Sequence, residues 1–547
     1  MPDQAQGMSK EGGRRGRACL PCRKGKIRCD GARPVCSTCH HLHRVADCTY
    51  PDDGRITADM LEGEVVRLEA RVHELENRST GIPLTNPHGA PGTRIDGWQM
   101  TNLMNTLQHL TNAPNAMTQV DTETAKILAI VAIQHASQLN FVLDIERFVT
   151  LLDLPEANPS YPHPALLNTL FVWALRILNT NTFRDLVRRF LDKAQLALTA
   201  ALGSGNLFIR LQAIQAEILL AEYFFSLGRS VEGQYHANGA ANLTISAGLH
   251  QIRPVSVQPG TKSTGRAQGG CSAYLSIPPP RSAREETERI RLFWTVYSLD
   301  KSWSVAVGSP SNIIEDGTAG TQIDTPWPPE LSANEIGSTS AVPAAERKTV
   351  QGFLSGHLSR SDLSDGRVST LTRRAQVSAL LDCVSNTVGY GDAVEAPRSI
   401  NRISNHSLAN LILEFIEALP PLDALARMSP EKRILHLVVR SLGNAANIKL
   451  HAPRVSFDHD AQMRFMASAR DIVKIAELMA SNHINFVDPV IATAWMTVAS
   501  VLSRREMRNA TSKAVAKRLK IALAELAKSC PVLAYQISKI DEFIPLT

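Results

Sequence analysis

The chain has 547 residues, 44% hydrophobic and 20% charged, which is ordinary for a globular protein long enough for several domains. Its net charge of +6 is concentrated, because residues 1–50 hold ten of the 58 Lys and Arg residues but four of the 52 Asp and Glu residues. The polar start lacks the apolar core of a signal peptide, and no stretch of about 18 apolar residues could span a membrane, so we expect an intracellular protein with no membrane partner. The basic segment is typical of proteins that bind nucleic acid.

Six of the nine cysteines form one cluster, Cys19-x2-Cys22-x6-Cys29-x6-Cys36-x2-Cys39-x8-Cys48. In a reducing compartment, clustered cysteines favour metal over disulfides. Structural zinc takes four ligands, so two separate sites would need eight cysteines and one site would leave two unused. Two Zn²⁺ ions that share two bridging thiolates use all six. The sequence therefore predicts two Zn²⁺ ions, whose binding folds a segment too small for a core of its own.

The stretch Arg17 to Cys39, RACLPCRKGKIRCDGARPVCSTC, resembles the fungal binuclear zinc cluster DNA-binding domain, and the match extends to the Cys48 spacing. The resemblance implies a small domain of two short helices in which Cys19 and Cys36 bridge the metals. It also implies that the helix after Cys22 enters the major groove of double-stranded DNA and reads CGG-type triplets, with Lys26 as the main base-contacting residue. The other basic residues expected to contact DNA are Arg17, Arg23, Lys24 and Arg28.

Gly25 departs from the resemblance, because many members carry Arg or Lys immediately before the reading lysine. A zinc-dependent protein-interaction scaffold, RING- or LIM-like, is the alternative, with His40, His41 and His43 as substitute ligands. The basic run between the second and third cysteines favours the DNA-binding hypothesis. With Arg14, Arg15 and Arg17 it also predicts import into the nucleus.

A short dimerisation element follows a linker at residues 51–60. Apolar residues repeat at spacings of four and three over residues 61–78, namely Leu61, Val65, Leu68, Val72 and Leu75. Valines at a and leucines at d favour a parallel two-stranded coiled coil, and hence a homodimer on paired half-sites. The alternative is a single amphipathic helix packed on the large domain.

Beyond a basic tail at residues 1–16 and the zinc cluster at 17–50, composition divides the chain into a flexible connector at 79–119 and a helical domain at 120–547. Helical periodicity predicts helices over 161–201, 207–227, 230–248, 285–307, 459–480, 488–505 and 511–528. Ser429-Pro430-Glu431 has the cap and first-turn proline of another helix start. Residues near 252–284 and 315–370, rich in Ser, Gly, Pro and Thr, are predicted to be mobile insertions. The expected fold class is therefore mostly α.

Three segments of the helical domain resemble the middle homology region of fungal transcription factors: 247–250, 288–301 and 448–453. This resemblance implies an all-helical regulatory domain that binds a coactivator or a small-molecule effector. Phe293, Trp294 and Tyr297 are predicted to be core residues, and Arg289 and Arg291 a solvated face. No phosphate-binding loop, nucleophile elbow or zinc-protease motif occurs, so we predict a regulator of RNA polymerase II transcription and not an enzyme.

Overall fold

The structure is a computed structural model of the chain. It describes residues 18–50, 95–112, 120–178, 181–252, 281–315, 320–329, 349–356, 368–390, 403–481, 488–504 and 509–529, with positions 278, 280, 318, 507 and 538. The chain divides into two compact units, Met1–Thr85 and Asn86–Thr547. The predicted tail at 1–16, the linker at 51–60 and the coiled coil at 61–78 lie outside the described residues.

The first unit contains two short helices, α1 (Leu20–Lys24) and α2 (Ser37–His41). Pro21 lies in the first turn of α1, where its missing amide hydrogen costs nothing. α2 begins after Cys36, whose sulfur accepts a hydrogen bond from the Cys39 amide. Cysteines therefore begin both helices, so metal ligands and helix starts are the same residues.

The second unit is helical, and no strand occurs among its described residues, which confirms the predicted mostly-α fold class. Its longer helices are α3 (Gly97–Asn112), α4 (Thr122–Ile133), α5 (Ile145–Leu151), α6 (Pro164–Ile177), α7 (Arg184–Leu202), α8 (Leu207–Ser226), α9 (Ser230–Ser246), α10 (Ala283–Val307), α11 (Thr349–Leu354), α12 (Thr370–Tyr390), α13 (Asn405–Glu417), α14 (Leu422–Leu425), α15 (Pro430–His451), α16 (His459–Ser481), α17 (Ile491–Leu502) and α18 (Ala510–Ser529). Short 3-10 turns lie at Asn181–Phe183, Leu249–Gln251 and Ala452–Arg454.

Helix α8 lies at the centre of this unit. It is buried on all sides from Leu211 to Ser226, so its apolar residues are not confined to one face. Ile214 and Ile218 belong to a large core that extends to α18, whereas Leu219 and Leu220 belong to a second core formed with α3 to α7. The two cores are thus joined through one helix.

The aromatic segment of α10 is core, as predicted. Phe293, Trp294 and Tyr297 are at most 2% exposed. The Trp294 indole nitrogen donates to the Pro326 carbonyl at 2.7 Å, and its ring stacks on Trp327 at 4.3 Å. This helix therefore anchors the segment around residue 326.

The connector predicted for residues 79–119 is wrong over Gly97–Asn112, which form α3. Asp96 and Gln99 form a reciprocal cap, in which the Gln99 amide donates to the Asp96 carboxylate at 2.7 Å and the Asp96 amide donates to the Gln99 side chain at 3.1 Å. Leu103 and Leu107, four residues apart, are buried in the second core. Because polar residues lie between these leucines, the composition of the segment did not reveal its apolar helix face.

The predicted mobile insertions are also shorter than expected, because residues 320–329 and 349–356 pack on the helical core. Thr325 is fully buried and its hydroxyl donates to the Leu249 carbonyl at 2.6 Å. The Thr349 amide donates to the Ile323 carbonyl at 3.0 Å. Residues 253–277 and 331–348 lie outside the described residues.

Arg289 corrects the prediction of a solvated face on α10. It is 4% exposed and donates to the Glu285 carboxylate at 2.7 Å and to the Pro278 carbonyl at 2.6 Å. In the part of the chain that the structure describes, no helix is both long enough and apolar enough to cross a membrane.

Candidate metal centre and nucleic-acid interface

The cysteine cluster brings sulfur atoms from both helices together. The Cys19 sulfur lies 3.6 Å from the sulfurs of Cys36 and Cys39, and the Cys22 sulfur lies 3.7 Å and 3.8 Å from the same two. All four side chains are buried. Four sulfurs around one zinc ion, at the usual Zn–S distance of about 2.3 Å, lie about 3.8 Å from one another. The spacing of these sulfurs therefore fits zinc.

The remaining two cysteines adjoin this group. The Cys29 sulfur lies 3.8 Å from that of Cys19, and the Cys48 sulfur accepts a hydrogen bond from the Cys36 amide at 3.3 Å. The cluster has two halves, the first with Cys19, Cys22 and Cys29 and the second with Cys36, Cys39 and Cys48. The Cys19 sulfur thus lies close to one thiol of each half, Cys29 and Cys39. Cys36 likewise adjoins both halves, through Cys22 and Cys48.

Burial determines the protonation of these thiols when no metal is bound. Burial raises the pKa of the Cys19, Cys22 and Cys39 thiols to about 12. Burial acts the same way on Cys36, but hydrogen bonds from the Cys39 amide and the neighbouring thiols outweigh it and lower its pKa. Thiols with so high a pKa become thiolates at neutral pH only when a metal ion displaces the proton.

Three contacts hold the loops of the small unit around its sulfurs, and none of them was predicted from the sequence. The Asp30 carboxylate accepts from the Ser37 amide at 3.1 Å and from the Ser37 hydroxyl, so it holds the start of α2. The Thr38 hydroxyl donates to the Arg28 carbonyl at 2.8 Å. Tyr50, 5% exposed, packs on the cysteines and donates to the Ala32 carbonyl at 2.6 Å. A tyrosine two residues after Cys48 was the available sequence signal.

The two halves of the unit follow the same backbone path. In the first half the Ile27 amide donates to the Cys22 carbonyl at 3.0 Å, and in the second the Arg44 amide donates to the Cys39 carbonyl at 2.9 Å. The residue before each donor has a left-handed backbone, with φ of 51° at Lys26 and 53° at His43. Lys26 and His43 therefore occupy equivalent positions, and the halves differ in side chains rather than in frame.

The first half carries the positive charge. Its exposed cations after Cys22 are Arg23, Lys24, Lys26 and Arg28, whereas the equivalent segment of the second half exposes the histidines His40, His41 and His43. No metal-binding set among the described residues includes these histidines. Arg17 lies outside the described residues. The structure thus brings four of the five predicted DNA contacts onto one short exposed segment.

Comparison with known families assigns both units. Residues 17–55 match the fungal Zn(2)-Cys(6) binuclear cluster domain, and residues 137–380 match the fungal specific transcription factor domain. The chain belongs to the fungal zinc cluster transcription factors. Both resemblances noted from the sequence are confirmed, and the family consists of transcription factors and not enzymes. Zinc binding is a property of this cluster family.

Curated relatives of this zinc cluster factor are fungal regulators. A notoamide biosynthesis cluster transcriptional coactivator of Aspergillus versicolor is 25% identical over 318 residues, 57% of each chain. A citrinin biosynthesis transcriptional activator of Monascus ruber is 25% identical over 340 residues, 55% of this chain and 62% of the relative. Transcription factor FBD3 of Gibberella moniliformis is 35% identical over 105 residues, 16% of this chain and 14% of the relative. The matches thus span little more than half the length of the first two relatives, and no solved structure matches the chain.

Proposed function

We propose that this chain is a zinc-dependent, sequence-specific DNA-binding regulator of RNA polymerase II transcription that acts in the nucleus. One observation carries the proposal: four exposed cations, Arg23, Lys24, Lys26 and Arg28, lie within the sulfur cluster, between Cys22 and Cys29. Lysine and arginine displace counterions from DNA phosphates and donate hydrogen bonds to guanine edges in the major groove. A protein-interaction scaffold does not require a row of exposed cations beside its zinc ligands.

Binding to DNA tests this proposal against the scaffold alternative. We expect the full chain to bind a duplex with CGG-type triplets in zinc-containing buffer, and to lose that binding in excess chelator because the metal folds the unit. Lys26→Ala should weaken the complex while the variant still binds zinc. A scaffold would retain its zinc and show no dependence of binding on Lys26.

We propose two Zn²⁺ ions per chain, with Cys19 and Cys36 as the shared ligands. The Cys19 sulfur lies close to the sulfurs of Cys29 and Cys39, and both side chains are fully buried. The Cys36 sulfur lies close to that of Cys22, and the Cys36 amide donates to the Cys48 sulfur. Native mass spectrometry of the full chain should then find two zinc ions. A single ion per chain would instead assign the metal to Cys19, Cys22, Cys36 and Cys39, the four thiols that lie closest together.

We propose that the factor reads paired half-sites as a homodimer through residues 61–78, with a boundary after residue 50 between reader and linker. Support comes from the heptad spacing of Leu61, Val65, Leu68, Val72 and Leu75 directly behind the reader. Leu68→Asp should abolish the dimer in analytical ultracentrifugation and weaken binding to paired triplets more than to a single triplet. Arg67→Asp, outside the a and d positions of the heptad, is the control for the change in charge.

We further propose that the regulated genes belong to a biosynthesis cluster. Two relatives, each 25% identical, are named as regulators of a biosynthesis, and one of these names specifies a biosynthesis cluster. Transcript profiling after deletion of the gene should show a contiguous set of biosynthetic genes losing expression. A dispersed set of unrelated genes would contradict this assignment.

A further inference from the structure

Helices α16 and α18 together carry an excess of positive charge. They hold eight Lys and Arg residues but four Asp and Glu residues. The excess is local, because residues 51–547 as a whole hold equal numbers of the two kinds. Both helices lie beyond residues 137–380, the range that matches the fungal specific transcription factor domain. The family match therefore does not account for this charge.

The two helices lie side by side and run in the same direction. The Arg518 guanidinium on α18 donates to both carboxylate oxygens of Glu477 on α16, at 2.8 Å and 2.7 Å. Toward the start of α16, the Gln462 side-chain nitrogen lies 3.9 Å from the sulfur of Met507, three residues before α18 begins. The exposed sides of α16 and α18 therefore form one surface.

Four cations on this surface are exposed and have no partner among the described residues. Arg470 and Lys474 lie four residues apart on α16, and Lys513 and Lys517 lie four residues apart on α18. No salt bridge or side-chain hydrogen bond joins any of the four to another described residue. We call these four residues the cationic face. Their charges are thus available to a partner.

The carboxylates of the two helices do not neutralise the cationic face. Asp471 accepts from the Arg440 guanidinium of α15 at 2.9 Å. Glu477 is held by Arg518, and Glu525 pairs with the lysine three residues later. The fourth carboxylate is in the first turn of α16, about 15 Å along the helix axis from the nearest cation of the face.

The spacing of the cationic face fits a phosphate backbone. Residues four apart on one helix lie about 6 Å apart along its axis, and the axes of packed helices lie about 8–10 Å apart. Duplex DNA carries one negative charge for about every 1.7 Å of its axis, so several phosphates lie within reach of the four side chains. Protein–protein interface cores, by contrast, are depleted of lysine and centred on aromatic anchors. No Phe, Tyr or Trp is exposed on the described residues of either helix.

We propose that the cationic face is a second DNA contact, which binds phosphates of duplex DNA outside the recognised triplets and without regard to sequence. Lysine and arginine displace counterions from phosphates, so such a contact adds affinity and salt dependence but no specificity. Its place on DNA that flanks the triplets rests on the proposed function of the zinc cluster, whereas the phosphate contact itself does not. Two contacts in one chain that bind one duplex raise the effective concentration of each other.

Two double variants of the zinc-loaded full chain test the cationic face. Lys474→Gln combined with Lys517→Gln removes one cation of the face from each helix. Arg188→Gln combined with Arg281→Gln is the matched control. It removes two exposed cations that form no salt bridge with a described residue from other elements of the helical unit, for the same change in net charge.

Fluorescence anisotropy over a salt series measures the affinity of each variant for two duplexes, one of about 40 base pairs without CGG-type triplets and one of about 10 base pairs, a single helical turn, with one triplet. On the long duplex we expect the face variant to reduce the slope of log affinity against log salt by about 1.8, because each phosphate contact contributes about 0.9, and the control to leave the slope unchanged. On the short duplex, which the zinc cluster occupies, both variants should bind like the wild type.

The outcome for the face is separate from the outcome for the reader. Lys26→Ala should lower the preference for triplets without changing the slope on the long duplex, whereas the face variant should keep that preference and lower the slope. If the chain shows no preference for triplets at all, the proposed function fails, but the slope on the long duplex still tests the cationic face.

Three results would overturn the proposal. One is an unchanged slope on the long duplex in a face variant that is folded by circular dichroism. Another is an equal loss of slope in the control, because net charge alone would then explain the effect. The third is saturable binding of a polyglutamate peptide that is lost in the face variant while the slope on the long duplex stays the same, which would assign the face to an acidic protein.

Discussion

Lys24 and Lys26 are both exposed and flank Gly25. We expect Lys26 to contact a base and Lys24 to contact a phosphate, so alanine at each position should have a different effect on DNA binding. We expect Lys26→Ala to weaken binding to the preferred duplex by about 5- to 150-fold per half-site, because a good base contact contributes about 1–3 kcal/mol of discrimination. Non-specific duplexes should bind this variant almost as before. Lys24→Ala should weaken both kinds of duplex equally, because a phosphate contact carries no sequence information.

The dependence of DNA affinity on salt concentration also distinguishes the phosphate contact from the base contact. With phosphate contacts from Arg23, Lys24 and Arg28, log affinity for a short duplex with a single triplet should fall with log salt at a slope of about −2.7, so that a fourfold rise in salt weakens this binding about 40-fold. Lys24→Ala should bring that slope to about −1.8, whereas Lys26→Ala should leave it near −2.7. Fluorescence anisotropy of the full chain over a salt series measures both, with the exposed Arg188→Ala as control. Identical slopes and identical specificity losses for the two variants would refute the assignment of Lys26 as the reader.

Three further predictions concern Gly25, Trp294 and Glu222. Gly25→Lys should strengthen DNA binding and steepen the salt slope by about 0.9, because it adds one cation to the row. Its helical backbone accepts a side chain, although the new Cβ, 3.3 Å from the Pro21 carbonyl oxygen, requires a small shift of that carbonyl. An unchanged slope in the anisotropy assay would contradict this. Trp294→Phe should destabilise the helical unit by about 1–3 kcal/mol in urea unfolding, because the buried Pro326 carbonyl loses its donor, and a stability equal to wild type would show that water replaces it. Burial raises the pKa of Glu222 to about 8, well above its unfolded value. The folded state then binds the extra proton, so this group's contribution to stability falls as pH rises toward 8. Glu222→Gln should therefore gain stability over wild type at pH 7.5 relative to pH 5.5, and an equal difference at both pH values would count against it.

Local sequence signals predicted much of the fold. The Ser429-Pro430 start is confirmed, since the Ser429 hydroxyl caps α15 (Pro430–His451) by accepting from the Lys432 amide. The aromatic triad of α10 is buried because its spacing puts all three rings on faces that pack inward. Cysteine spacing similarly indicated the cluster, because metal ligands must converge whatever the loops between them do.

Predictions from composition were wrong where a few contacts outweigh many polar residues. α3 follows a polar, Asn- and Thr-rich stretch, yet it packs on the second core through the buried Leu103 and Leu107 and the partly buried Met100, Met104 and Leu110. Thr325 lies in a segment that was predicted to be a mobile insertion. It is buried, and its hydroxyl donates a hydrogen bond to the Leu249 carbonyl. Arg289 was predicted to be exposed from its residue type. Its i,i+4 pairing with Glu285 follows from helical periodicity, but its hydrogen bond to the Pro278 carbonyl, outside the helix, does not.

At the zinc site, too, the sequence predicted some features and not others. Six cysteines were enough to predict a shared cluster, but the roles of Asp30, Thr38 and Tyr50 depend on which loops the sulfurs bring together. The equivalence of Lys26 and His43 likewise emerges from matching backbone φ values, not from similar letters in the sequence.

The central claim is that the zinc-folded cluster reads DNA sequence, and selection from a random duplex library tests it most directly. The zinc-loaded full chain and Cys29→Ala should be selected side by side at physiological salt. We expect the wild type to enrich paired CGG-type triplets at a fixed spacing and the variant to enrich none. If the folded wild-type chain enriches no motif, the claim that this cluster reads DNA is contradicted.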